Sequence, residues 1–169
     1  DGRKAETIFQ GWQETMIDSC LGNIMGDVYV DDAKIPRSAS AVLGDFAFLS
    51  GDLCRELADI KTYAKRDFVI VVPPNEAWAR LIEEVHGSRA KRVIRYAFRK
   101  EPDAFDEEQL QEVVRSLSDE FMIRLIDEDL YYACKEEAWS RDLVSQYADY
   151  ERYNRLGIGV VILKDGLLV

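Results

Sequence analysis

Six residues able to line a polar pocket fall between positions 139 and 146: Trp139, Ser140, Arg141, Asp142, Ser145 and Gln146, in the segment WSRDLVSQYADY. Hydroxyls, a guanidinium, a carboxylate and an amide beside an indole face are the ingredients of a small-molecule pocket with an aromatic wall. The same residue types have a plainer use. Ser140 can cap a helix starting here, and Trp139 can pack beside it.

Counting narrows the other chemistries. His86 is the only histidine, so any Ser-His-Asp or Cys-His arrangement must use it. Its place just before Gly87 is accounted for by an imidazole interacting with a helix C-terminus. One histidine and no Cys-x-x-Cys argue against a structural zinc site, and no metal is expected. Asp31-Asp32 and the run Asp127, Glu128, Asp129 could hold a cation, yet both stand where turns and helix caps draw carboxylates. No G-x-x-x-x-G-K-[ST] run is present. Gly157-Ile158-Gly159 precedes a strand, whereas a phosphate cradle needs glycines after a strand and at a helix N-terminus. Those glycines read as the end of a helix.

The chain has 169 residues, 47% of them hydrophobic, enough for one ordinary domain or two small lobes. With 32 acidic against 22 basic residues the net charge is -10, a field that repels nucleic acid and anionic lipid. Arg89, Lys91, Arg92, Arg95, Arg99 and Lys100 form a local basic patch, read as the solvated face of a strand in which Arg95 alternates with Ile94, Tyr96 and Phe98. The cysteines Cys20, Cys54 and Cys134 are odd in number, far apart and set among apolar neighbours, as reduced core residues of an intracellular protein would be. No run is long enough to span a bilayer, and DGRKAETIF lacks the apolar stretch of a signal peptide, so a cytoplasmic location is expected. The missing initiator methionine points to a trimmed or incompletely observed protein.

These groups must be positioned by α/β elements. Ile8, Phe9, Trp12, Met16, Ile17 and Cys20 recur at helical spacing over residues 7–22, with Gly22 as the stop. GDVYVDD reads as a short strand and SASAVLGDFAFLSGD as one longer strand, joined by DAKIPRS into an antiparallel pair. Leu53, Leu57 and Ile60 mark a short helix. Phe68 to Val72 has the composition of a central strand; Pro73-Pro74 ends it, Asn75 caps a helix carrying Trp78, Leu81, Ile82 and Val85, and VIRYAFRK follows as a strand. The acidic stretch EPDAFDEEQ is read as a boundary between residues 1–103 and 104–169. Beyond it, Asp106 with Gln109 approximates a capping box for a helix carrying Leu110, Val113 and Val114. FMIRLI is a strand, Asp127 caps a helix with Leu130, Tyr131 and Cys134, and Trp139 to Tyr153 continues helically through Leu143, Val144, Tyr147 and Tyr150. Ile158 to Leu163 reads as a buried strand, and Asp165-Gly166 as a tight turn leading into Leu167, Leu168 and Val169. The expected class is α/β with mixed α+β sheets.

The strings GWQETMIDSCLGNIMGDVYVDD, SASAVLGDFAFLSGD, FVIVVPPNEAWARLIEEVHG, RYAFRKEP and EEAWSRDLVSQYADYERYNRLGIGVVILKDG agree in order and spacing with one family over nearly the whole chain. They resemble the bacterial GNAT-superfamily N-acetyltransferases that carry an extra N-terminal α/β lobe. The resemblance implies that residues 1–103 are that acetyltransferase-like lobe and that 104–169 begin the acyltransferase domain. It further implies transfer of acetyl from acetyl-CoA to an amine, the acceptor being a small molecule or a peptide. The acyl-CoA site of the family needs a bulged strand and a Q/R-x-x-G-x-G/A turn, and this sequence has neither. The chain is therefore expected to be an incomplete, inactive piece that binds acetyl-CoA poorly, with catalytic acid and base unassigned. Helices from Asp127 to Leu156 would border the amine pocket, making Trp139, Ser140, Arg141, Asp142 and Ser145 the acceptor-pocket candidates, since a cationic amine is drawn to carboxylate and aromatic face. The open sheet edge at the end would pair with a missing domain or with another copy of the chain, giving a homo-oligomer. A second reading is a non-catalytic acetyltransferase-like interaction module that docks through residues 1–103.

Overall fold

The computed structural model describes residues 2–96, 98 and 101–169. Among them the chain forms two compact units, Asp1–Lys91 with Ser145–Arg152, and Arg92–Val144 with Tyr153–Val169. No helix among the described residues is long and apolar enough to cross a membrane.

The first unit is built on a four-stranded sheet of order β1-β2-β3-β4 (Asp27–Val30, Ser38–Leu43, Phe46–Gly51, Ile70–Val72). β1, β2 and β3 pair antiparallel, and β4 joins β3 in parallel. The expected single long strand over SASAVLGDFAFLSGD is instead the hairpin β2–β3. Gly44-Asp45 turns the chain, with Gly44 at φ 57 supplying the conformation a two-residue loop needs. A run apolar on both sides of a Gly-Asp pair conceals such a turn, because burial on both faces abolishes alternation.

Both faces of this sheet are covered. Ala39, Ala41 and Phe48 meet Ala5, Phe9, Ile17 and Cys20 on one side, and Val42, Ala47 and Leu49 meet Leu57, Ala58, Ile60, Trp78 and Ile82 on the other. The helical stripe of residues 7–22 is interrupted: α1 runs only from Thr15 to Leu21, after turns that include Gly11 at φ 95. Phe9 still reaches the core, so the spacing reported burial correctly and regularity incorrectly. The short helical stretch after it is α2 (Arg55–Ala58) followed by a 3-10 turn at Ile60–Thr62, with Leu53 left exposed.

α3 (Glu76–His86) agrees with expectation in detail. Asn75 Oδ1 accepts from the Trp78 amide at 3.1 Å, and Gly87, at φ 55, ends the helix. Trp78 is fully buried and its indole N–H donates to the Gly51 carbonyl at 3.0 Å, so its polar atom is satisfied within the core. The strand before α3 is shorter than expected and lies at the sheet edge; Phe68 is exposed and Ile70 to Val72 are half-buried. VIRYAFRK is not a strand over its described residues. Val93, Ile94, Tyr96 and Phe98 are exposed and have no strand partner, and strand propensity without a neighbouring ladder does not make a strand. Arg99 and Lys100 of the basic patch lie outside the described residues.

The second unit contains α4 (Glu107–Arg115), α5 (Glu128–Glu136), α6 (Tyr150–Leu156, shared with the first unit up to Arg152) and a three-stranded sheet β5-β6-β7 (Phe121–Leu125, Val160–Lys164, Leu167–Leu168). Asp106 caps α4 through Gln109 N at 3.1 Å, but Leu110, Val113 and Val114 stay exposed. β6 runs antiparallel to β5, and Asp165-Gly166, at φ 53 and 79, makes the expected tight turn into β7. Burial along β6 alternates: Val161 and Leu163 face the core with Leu130, Tyr131, Cys134 and Tyr153, while Val160 and Ile162 do not. The continuous helix expected from Trp139 to Tyr153 is broken into a 3-10 turn at Arg141–Leu143, irregular chain, and α6.

Candidate functional site

A cleft of about 690 Å³ opens in the second unit where the start of β5, the first turns of α5 and the β6–β7 turn come together. Its charged lining is Asp119, Glu120, Arg124, Asp127, Asp129 and Asp165, five carboxylates against one guanidinium. Phe121, Met122, Leu130, Ala133 and Leu163 supply the apolar part. The local sequence explains each placement. Asp127 stands here because an N-cap needs a short acceptor, which takes the Leu130 amide at 3.1 Å. Asp165 stands here because the turn needs a residue that tolerates a left-handed φ.

Two of the five carboxylates are already engaged. Asp127 Oδ2 receives the Arg124 guanidinium at 2.5 Å, and Glu120 receives Lys164 Nζ at 2.7 Å, with that ammonium 5.2 Å from the centre of the Phe121 ring. Asp119, Asp129 and Asp165 have no side-chain partner among the described residues. The cleft can therefore attract a cation, hold it by hydrogen bonds to carboxylate oxygens, and lay an apolar stem against Phe121 and Leu163.

The candidates named from sequence fare differently. Ser140 is fully buried and donates its hydroxyl to the Cys134 carbonyl at 3.0 Å. It closes the C-terminal end of α5 rather than capping a following helix. Arg141 does the same work from outside, donating to the Lys135 carbonyl at 2.9 Å and the Glu136 carbonyl at 3.3 Å. Trp139 and Asp142 are exposed and line neither this cleft nor the smaller one containing Ser145. Ser145 and Gln146 belong to the first unit, Trp139 to Asp142 to the second. None of the five lines the cleft of the second unit, and Ser145 alone of them lines that of the first.

Elsewhere the structural readings account for the residues. His86 Nε2 lies 2.9 Å from the Ala58 carbonyl, tying α3 to α2. Asp31 accepts from the Arg37 and Ser38 amides at 2.9 and 3.0 Å, and Asp32 from Lys34 and Ile35 at 2.7 and 2.8 Å. Desolvation works to raise the exposed Asp31 carboxyl, but these amides outweigh it and hold it low; the Asp32 carboxyl is held low chiefly by the Ile35 and Lys34 amides. All three thiols are free, and burial, reinforced by Asp27, pushes Cys20 up to about 11. No cluster of three or more metal-ligating side chains occurs among the described residues. Gly157 directly follows α6, whereas Gly159 directly precedes β6, and both press on Tyr153: a Cβ on Gly157 would lie 2.7 Å from its ring, and one on Gly159 2.8 Å from its hydroxyl oxygen.

Asp129 was visible in the sequence within an acidic run at a helix cap and Asp165 as a turn residue, whereas Asp119 carried no local signal, and nothing marked the three as lining one cleft. Their spacing carries no period, and only the pairing of β5 with β6 brings Asp165 towards Asp119 and Glu120.

The comparisons with known proteins fit this architecture. A GCN5-related N-acetyltransferase-like protein from Streptococcus suis 89/1591, known from its crystal structure, is 43% identical, with a TM-score of 0.82 over 99% of this chain and 67% of that one. A search of curated proteins gave no match. The family model described as GNAT acetyltransferase matches residues 6–169. That match runs through both units without a division at residue 104, and the expectation of an added lobe followed by a truncated domain draws no support from it. On the strength of a match covering almost its entire length, the chain belongs to the GNAT acetyltransferase family.

Proposed function

We propose that this protein transfers an acetyl group from acetyl-CoA to an amine, and that the cleft of the second unit receives the amine. The observation that supports this reading is the lining of that cleft, which Asp119, Asp129 and Asp165, without a cationic partner among the described residues, share with Phe121, Met122, Leu130, Ala133 and Leu163. A protonated amine is stabilised there by charge and hydrogen bonding, and a carboxylate oxygen can take the proton that must leave before the nitrogen becomes nucleophilic. The acceptor is thus a small molecule or peptide carrying a primary amine on an apolar stem. Arg124, held on Asp127, leaves that end of the cleft less negative and gives the entering cation a direction.

The donor side is different. A pyrophosphate needs bare amides at a helix N-terminus. Here α4 and α5 begin on Asp106 and Asp127, whose own carboxylates take those amides, and α3 begins on Asn75 followed by Glu76. These three helix starts do not fit the phosphates of acetyl-CoA, which enters as the co-substrate the family uses. The same observation favours a second reading, a non-catalytic acetyltransferase-like module that binds a protein partner.

Calorimetric titration of the full-length gene product with acetyl-CoA, followed by mass spectrometry of a mixture of primary amines, separates the two. Binding and a gain of one acetyl group on an amine support the transferase. Absence of both, with the protein folded, supports the module.

A further inference from the structure

We propose that the first unit carries a separate binding site for a small zwitterion of the α-amino-acid type. A cleft of about 350 Å³ lies between the turn that follows α1, Asn23 to Asp27, and the segment Ser145 to Ala148 with Arg152. That volume is at the small end of ligand pockets, enough for a molecule of amino-acid size. Its chemistry is paired. Asp27, an acidic residue, and Arg152, a basic one, line the same cleft together with Ser145 and Gln146.

The state of Arg152 carries the inference. A guanidinium has five N–H donors. Among the described residues its one acceptor is the Asn23 carbonyl, while Nε is buried with no hydrogen-bond partner at all. An enclosed donor without an acceptor is costly, and native structures rarely leave one unless something outside the chain completes it. A carboxylate seated in the cleft draws the guanidinium fork off the Asn23 carbonyl and satisfies two of its donors together. The opposite sign at Asp27 decides the rest. A phosphate dianion would be repelled by Asp27 and by the net charge of -10, and a bare cation would be repelled by Arg152. A ligand bearing ammonium and carboxylate on one short frame satisfies both walls. This cleft belongs to the first unit, whereas the acidic cleft belongs to the second.

The test is calorimetric titration of the whole protein with each common α-amino acid, and with acetate, methylammonium and inorganic phosphate as partial ligands. At least one amino acid is expected to bind at one site per chain, with acetate and methylammonium each at least about tenfold weaker. Arg152→Gln and Asp27→Asn should each weaken that binding about tenfold or more, while Asp129→Asn in the other cleft leaves it unchanged. Because Arg152→Gln also removes the contact to Asn23, Asp27→Asn is the deciding variant should the first fail to fold. No heat from any amino acid at millimolar concentration overturns the proposal. So does binding that phosphate or acetate alone reproduces, or that Asp27→Asn leaves intact.

Discussion

Ser140 reaches back six residues to the carbonyl oxygen of Cys134, hydroxyl to oxygen at 3.0 Å, with both residues sealed from solvent. The bond occupies an acceptor that α5 leaves open at its C-terminal end, and it fixes the chain where it departs from the helix. Ser140→Ala leaves that carbonyl buried and unpaired. A loss of about 1–3 kcal/mol in urea unfolding is expected, with the amine KM of the remaining folded protein unchanged. A selective rise in KM without loss of stability would return Ser140 to the acceptor pocket.

The acidic cleft predicts a different signature for Asp129. It is exposed, lines the cleft and has no cation beside it, so Asp129→Asn should leave the fold intact and raise the KM for a primary amine about threefold to tenfold with little change in kcat. Added salt should narrow the gap between variant and parent, since the interaction is between partly solvated charges. Steady-state kinetics at low and high ionic strength reads both effects.

The thiols should react in a fixed order. Cys54 is half-exposed, whereas Cys20 and Cys134 are buried. Under native conditions at pH 8 an alkylating reagent should label Cys54 first and slowly, because burial raises its thiol and so keeps the thiolate scarce. Labelling of Cys20 and Cys134 should await unfolding, which peptide mass spectrometry can follow. The Cys20 thiol, raised by burial and then by Asp27, is neutral in the folded chain. Its contribution to stability is therefore complete below the ordinary thiol range near pH 8.5 and is lost as the pH climbs towards about 11. Cys20→Ser should flatten that part of the pH–stability curve, measured by thermal melts between neutral and alkaline pH.

Two glycines should respond unequally to alanine. At Gly159 a Cβ would stand 2.8 Å from the Tyr153 hydroxyl oxygen and 2.9 Å from Ile126 Cδ1, so packing must shift, at a cost of about 1–3 kcal/mol. At Gly44 nothing lies within 4 Å of the added atom, and only the left-handed turn resists it, at about 1–2 kcal/mol. Denaturant unfolding of each variant gives the comparison. Repacking Tyr153 to Phe should recover part of the loss for Gly159→Ala and none for Gly44→Ala.

Much of the fold could be read along the chain where a local rule and a buried face agree. Asn75 before Trp78, Asp106 before Gln109 and Asp127 before Leu130 all cap as their spacing requires, because an N-cap is settled within four residues. Asp165-Gly166 turns for the same local reason. Burial was legible too: Phe9, Ile17, Cys20, Trp78, Ile82, Leu130 and Tyr131 are all core residues. Sequence by itself thus determined the caps, the last turn, the apolar faces and the resemblance to a family. Tertiary structure decided what those rules leave open. It broke the doubly apolar run at Gly44 into a hairpin, left the described residues of VIRYAFRK without a ladder, and engaged Ser140 and Arg141 in the closing bonds of α5. It also drew Asp119, Asp129 and Asp165 to one cleft from three separate elements. The physical reason is range. Capping and turn preferences act within a few residues, whereas strand pairing and shared clefts depend on contacts between segments far apart in the chain, and no local pattern encodes which segments will meet.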